Sequence, residues 1–375
     1  TLSSDNGSVT ISSGLALNNG ELRQGGGILN LISGGSVGTG GRLDVSNSEL
    51  KLGSALSFAG TLVVNSGTTW SGFGGTLDLS AGTLESGGGT FNLDDFTIGA
   101  NSTFRLSGDT EISSASDLTL GNLELNGNTL SLEFASVGDP AFILPNTLTM
   151  DNVSSVIETK NVNLTLGKAL SLTSGSITST GGTLSFSGGL TLGASGELDV
   201  SGSTLSAGQV LDLSSGTFSS DNSSLDLQAA TTLSANDQVT GQDPVTFEDV
   251  HFNGNVLTLG SASTHLKVND NLTLSGIALE TGAGSLTLSG ALALTDNASL
   301  NSSGGTITLG SGASALSGTS ISLPDTTLVL QNALSLSGAT LKADNTTFTT
   351  NEHALRVESG SILEVAGVQD LSGVL

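Results

Sequence analysis

The chain has 375 residues, of which 53 are glycine and only 11% are charged. It has no cysteine, which excludes disulfides and thiol chemistry. The formal net charge is −25, from 34 Asp and Glu against nine Lys and Arg, and this opposes binding to nucleic acid or an anionic membrane, where phosphate contact depends on basic residues.

In chain order, a hydrophobic residue returns about every seven positions, set among Gly, Ser and Asn. The beat begins at Leu15, Leu22, Leu29, Val37, Leu43, Leu50, Leu56, Leu62 and Trp70, and continues through Leu77, Leu84, Phe91, Ile98, Phe104, Ile112, Leu118, Leu125 and Leu132. It resumes at Leu164, Leu170, Ile177, Leu184 and Leu190 and runs on through Leu198, Leu205, Leu211, Phe218, Leu225 and Leu233. A seven-residue beat also describes a coiled coil, but each glycine inside a helix costs on the order of 1 kcal/mol relative to alanine, and this chain is rich in them. Strands fit instead. Triplets such as Leu118-Thr119-Leu120, Leu198-Asp199-Val200, Leu211-Asp212-Leu213, Leu272-Thr273-Leu274 and Leu334-Ser335-Leu336 send two apolar side chains to one face and a polar one to the other.

Toward the end the beat holds register. Leu286, Ile307, Leu328 and Phe348 make one column, Leu300, Ile321, Leu341 and Ile362 another, and Leu334 and Leu355 lie between them. Each column repeats about every 21 residues, the signature of a solenoid. The expected fold is all-β: one continuous single-stranded parallel β-helix, or β-solenoid, over residues 1–375, with three short strands per coil. About 18 coils at the strand spacing make a rod roughly 85 Å long.

The beat blurs around residues 133–163, which hold Pro140, Pro145 and Met150, and around 235–256, which hold Asp237, Asp243, Pro244, Glu248, Asp249 and His251. Longer turns with a proline at a corner account for both. Irregular turns on a rigid support also present binding surfaces, and the second segment is locally dense in charge. Asp243, Glu248, Asp249 and His251 are therefore the candidate exposed binding patch.

Six Asp-Asn pairs, at Asp5, Asp151, Asp221, Asp270, Asp296 and Asp344, read as turns, since both side chains accept local backbone donors. The glycine-rich nonapeptide repeat of calcium-binding β-helices does not occur in series, so the expectation is no dedicated metal or other cofactor, with loose divalent-cation binding at most. The adjacent acidic pairs Asp94-Asp95 and Glu248-Asp249 are the candidates for glycoside hydrolysis, which needs two carboxylates across a sugar. The basic residues are scattered singly along the sequence, and His251, His265 and His353 have no metal-ligand spacing. The Gly25 and Gly87 runs lack the Gly-Lys-Ser/Thr ending of a phosphate loop.

The stretches Gly60-Thr61-Leu62-Val63-Val64-Asn65-Ser66-Gly67-Thr68 and Gly181-Gly182-Thr183-Leu184-Ser185-Phe186-Ser187-Gly188-Gly189 resemble bacterial secreted β-helix adhesins. These are the autotransporter passengers and filamentous-haemagglutinin-like exoproteins, and the lack of cysteine and the few basic residues match them. The resemblance covers nearly the whole chain as texture. It implies a right-handed helix, export from a Gram-negative bacterium and a place at the cell surface.

The functional expectation is a non-enzymatic extracellular protein, the rigid shaft of a surface adhesin or fibre, whose partner is a host-cell, surface or matrix ligand. Two alternatives stand beside it: a filament subunit that stacks end to end on other copies of itself, and a polysaccharide-degrading β-helix enzyme. No membrane span is expected, because no run approaches the roughly 18 to 20 apolar residues that one requires.

Overall fold

A computed structural model describes residues 1–71, 77–92, 96–114, 117–133, 141–235, 245–310 and 314–367. It is an all-β parallel solenoid of about 16 turns with about 21 residues per turn. The described residues form strands and no helix. The chain divides into two compact units, one of Thr1–Lys168 with Thr173–Thr183, the other of Ala169–Leu172 with Leu184–Leu375.

The second unit shows the coil most plainly. From His265 the chain repeats three strands per turn: His265–Val268, Leu272–Ser275 and Ala278–Gly282, then Ser285–Leu288, Leu292–Thr295 and Ser299–Ser302. Each strand pairs in parallel with its counterpart one turn on. The triplets behave as alternation requires: Leu272, Leu274, Leu334 and Leu336 are buried, and Thr273 and Ser335 between them face outward. Leu286 pairs with Ile307, Ile307 with Leu328 and Leu328 with Phe348, none of them more than 3% exposed. Stability is distributed along such columns, each coil burying the apolar side chains of its neighbours.

The second column needs a correction. Leu300, Ile321 and Leu341 stack as expected, but Leu341 pairs with Leu363, and Ile362 pairs with Thr340. A one-residue slip turns every side chain to the other face. Ile362 accordingly points outward and is 51% exposed.

The first unit uses longer pieces. Leu15–Gln24 and Gly35–Asp44 are single ten-residue strands, and their pairing shifts register between Leu17 and Asn19. One strand thus bends round a corner through a bulge and covers two sides of the coil. The third side is a four-stranded sheet of Gly7–Ile11, Gly27–Leu31, Ser48–Leu52 and Thr69–Ser71. Three strands per coil is therefore an incomplete description of this unit.

Corners are set by residues that accept a left-handed backbone. In the second unit Gly276, Gly318, Gly338 and Gly360 mark one corner with φ of 68°, 63°, 64° and 81°, and Asp296 and Asn297 take the turn between Gly276 and Gly318 at 55° and 62°. Four of the six Asp-Asn pairs place the Asn in this region, at Asn6, Asn222, Asn297 and Asn345. Asn152 and Asn271 act through the side chain instead, Oδ1 accepting from Ser154 N at 2.9 Å and from Ala291 N at 2.7 Å. Buried hydroxyls satisfy the corner carbonyls, as Thr68 Oγ1 does to Val45 O at 2.7 Å.

There are about 16 turns and not 18 because some coils are long. Hydrogen bonds between neighbouring coils span 24 residues from Ala141 to Asp117 and 28 from Gly127 to Ser155 in the first unit, and 29 from Ala235 to Thr264 in the second.

Candidate binding patch

Of the four patch residues, Asp243 lies outside the described residues. Glu248 sits at the corner between the strands Val245–Phe247 and Asp249–His251. Its amide donates to Ser223 O at 2.7 Å and its carbonyl accepts from Asp270 N at 2.9 Å, so the backbone is tied to the coils on both sides. Glu248 Oε2 accepts from Asn269 Nδ2 at 3.1 Å.

Asp249 and His251 flank the buried Val250, so alternation puts both side chains on the outer face. His251 Nε2 lies 2.9 Å from Asp249 Oδ2, and Asp249 Oδ1 accepts from Val250 N at 2.8 Å. Register places His251 beside Asp226, whose carboxylate accepts from Asn253 Nδ2 and Gln228 Nε2. The structure thus gathers Asp226, Asp249 and His251 on one outer surface and holds Glu248 at the adjoining corner.

The sheet ends here. Thr204–Ala207, Ser224–Leu227 and Asp249–His251 pair in succession, and a separate five-stranded sheet begins at Leu272–Ser275. Among the described residues no strand pairs with the far edge of Asp249–His251.

Chemically the patch is an exposed anionic surface whose side chains bond one another. Among the described residues no three His, Asp or Glu side chains come together to hold a metal ion. Glu248 bonds Asn269 and Asp249 bonds His251, so the two adjacent carboxylates are engaged in different directions. The other acidic pair, Asp94-Asp95, lies outside the described residues.

The basic residues are less scattered than the sequence suggests. Arg23 lies 3.9 Å from Asp44, its register partner. Arg42 reaches Glu21 at 3.6 Å and Glu85 at 3.2 Å, and Arg105 Nε donates to Glu124 Oε2 at 2.6 Å. Glu85 and Arg105 are themselves register partners. Arg42 and Arg105, far apart in sequence, thus join through Glu85 in one ladder of charges on the outer face of the first unit, and Arg23–Asp44 is a separate pair. The hydrogen bond to Glu124 raises the affinity of the Arg105 guanidinium for its proton above the ordinary value, against the opposing effect of burial. Lys51–Glu49, Lys160–Glu133 and Lys342–Glu364 are further pairs, at 3.4, 2.8 and 3.5 Å. His265 is half-buried, with Nε2 2.8 Å from Thr287 Oγ1.

No family model, curated protein or solved structure matches the chain.

Proposed function

We propose that this protein is a non-catalytic extracellular shaft, the rigid β-helical part of a bacterial surface adhesin or fibre. The observation that carries the reading is the in-register stacking of coil on coil within each unit, exemplified by the Leu286–Ile307–Leu328–Phe348 column. A chain built this way commits its apolar residues to length. Six of its basic residues, Arg23, Arg42, Lys51, Arg105, Lys160 and Lys342, sit beside carboxylates of the chain itself. The texture shared with secreted β-helix adhesins supports the location outside the cell, and the acidic surface keeps neighbouring rods apart.

Stretching single molecules from end to end tests the mechanical role. A shaft peels coil by coil, and each coil of about 21 residues releases roughly 70 Å of contour length. Release of the whole chain in one step would oppose the reading.

A second reading, end-to-end assembly, draws on Val357 and Val365, apolar side chains in register with buried Leu336 and Ala343 and 47% and 44% exposed. A further coil would cover them, whether from this chain or from another copy. Electron microscopy over a concentration series separates the two: filaments one rod wide favour assembly, and separate rods at every concentration favour the shaft alone. The enzyme alternative predicts turnover of an acidic polysaccharide that is lost in Glu248→Gln.

A further inference from the structure

The second unit carries a face that a shaft does not need. On its six-stranded sheet, Thr306, Thr327 and Thr347 form one outward column, and Thr287, Thr308, Val329 and Thr349 form a second beside it. The side chains between the columns, Leu286, Ile307, Leu328 and Phe348, are the buried stack, so every one of these threonines points away from the core. Parallel ladders on both sides fix Ser285–Leu288, Thr306–Leu309 and Thr327–Leu330, and Thr347–Thr349 is held on one side, as the last strand of this sheet among the described residues. The result is a rigid two-dimensional net, with roughly 4.8 Å between coils and roughly 6.7 Å between the two columns.

The net is uncharged. Ser285–Leu288, Thr306–Leu309, Thr327–Leu330 and Thr347–Thr349 contain no ionisable residue, in a chain of net charge −25. Charge enters one coil below, at His265 and Lys267. The neighbouring sheet of the same unit carries Glu280, Lys342 and Glu364 outward on Ala278–Gly282, Thr340–Asp344 and Ile362–Ala366.

What such a face can hold follows from its size and order. Four coils of two columns present on the order of 100–200 Å², far below the roughly 800 Å² that each partner buries in a stable protein interface. A flat net also offers no concavity for a soluble small molecule. The remaining kind of partner is one whose own surface is periodic, so that many weak contacts are made in step. The spacing between coils is close to the repeat of oxygen rows in hexagonal ice. Each threonine offers a methyl group and a hydroxyl that donates and accepts, the Thr287 hydroxyl being already shared with His265 Nε2, and this suits a lattice of water. A charged side chain would hold its own hydration shell and spoil the match.

We propose that this threonine face adsorbs to ice. The inference stands apart from the shaft reading, because it needs only the register of this one sheet.

The test is slow freezing of a solution of the full chain onto a cold surface, with the fraction of protein taken into the ice measured against an inert acidic protein. Wild-type chain is expected to enter the ice and to separate the freezing point from the melting point. Thr308→Lys is expected to lose both effects. The fold accommodates lysine in that column, since Lys267 already stands there, in register with Thr287 and so with Thr308. Ser335→Lys, outward on the neighbouring sheet, is expected to behave as wild type. Exclusion of the wild-type chain from ice to the level of the inert control would overturn the proposal. So would uptake undiminished by Thr308→Lys in a chain that still melts cooperatively, or adsorption to crystalline chitin or cellulose without uptake into ice.

Discussion

Arg105 and Glu124 are direct register partners on adjacent parallel strands of the first unit, and Arg105 Nε donates to Glu124 Oε2 at 2.6 Å. Glu85 stands opposite Arg105 on the other side, so the guanidinium is held between carboxylates one coil below and one coil above. A solenoid repeats every residue's surroundings with the period of its coil, so charges placed about one turn apart become contacts.

The pair is open to solvent, with 43% of the Arg105 side chain and 32% of the Glu124 side chain exposed. Exposed pairs contribute about 0.2–1 kcal/mol and weaken as salt rises. Glu124→Gln is expected to lower stability by an amount in that range at low ionic strength and by almost nothing in 1 M salt. Urea melts at the two salt concentrations measure it.

The Lys160–Glu133 pair carries a pH prediction. The hydrogen bond that Lys160 Nζ donates to Glu133 Oε1 at 2.8 Å holds the lysine above its ordinary value. A group whose folded pKa is raised contributes stability that is complete below the unfolded value and is lost as pH rises through the folded one. The pair therefore acts fully at neutral pH and fades only as pH rises past the ordinary lysine value. NMR titration of the Lys160 ammonium is expected to show a midpoint above that of free lysine, and Glu133→Gln is expected to return it.

The buried columns dominate stability. Ile307 is fully buried between Leu286 and Leu328, and its truncation to alanine is expected to cost about 2–5 kcal/mol. Thr308→Ala, one residue along and facing out, is expected to stay within about 0.5 kcal/mol. Equilibrium unfolding of the two variants separates inside from outside on a single strand.

Gly305 tests the corners. Its φ is 70°, and a Cβ there would lie 2.3 Å from Gly284 O. Gly305→Ala combines a strained backbone with a clash against a neighbouring coil, so a loss of about 2 kcal/mol or more is expected. Gly254 has a similar φ of 78° with nothing within 4 Å, and alanine there is expected to cost about 1 kcal/mol. Thermal melts of both variants give the difference.

The fold was legible because a solenoid writes its period into the chain. Leu286, Ile307, Leu328 and Phe348 stack as their spacing implies. Spacing alone did not settle register at Ile362, where the turn after Leu355–Val357 delays the strand and puts Leu363 on Leu341. The ion ladder was also readable in principle, since Glu85, Arg105 and Glu124 recur near the coil length, but charges judged by neighbours in sequence look isolated. The paired threonine columns escaped for the same reason: Thr alternates with Ser and Asp along the chain, and only register separates the sheets. For the patch, sequence located Glu248, Asp249 and His251, while Asp226 joins them only through strand pairing.

The most direct measurement is amide hydrogen exchange of the purified chain. Ile307, Leu328 and Phe348 lie on strands paired in parallel from coil to coil, and slow exchange is expected along them. Exchange there as fast as in the exposed turns would contradict a rigid stack of coils.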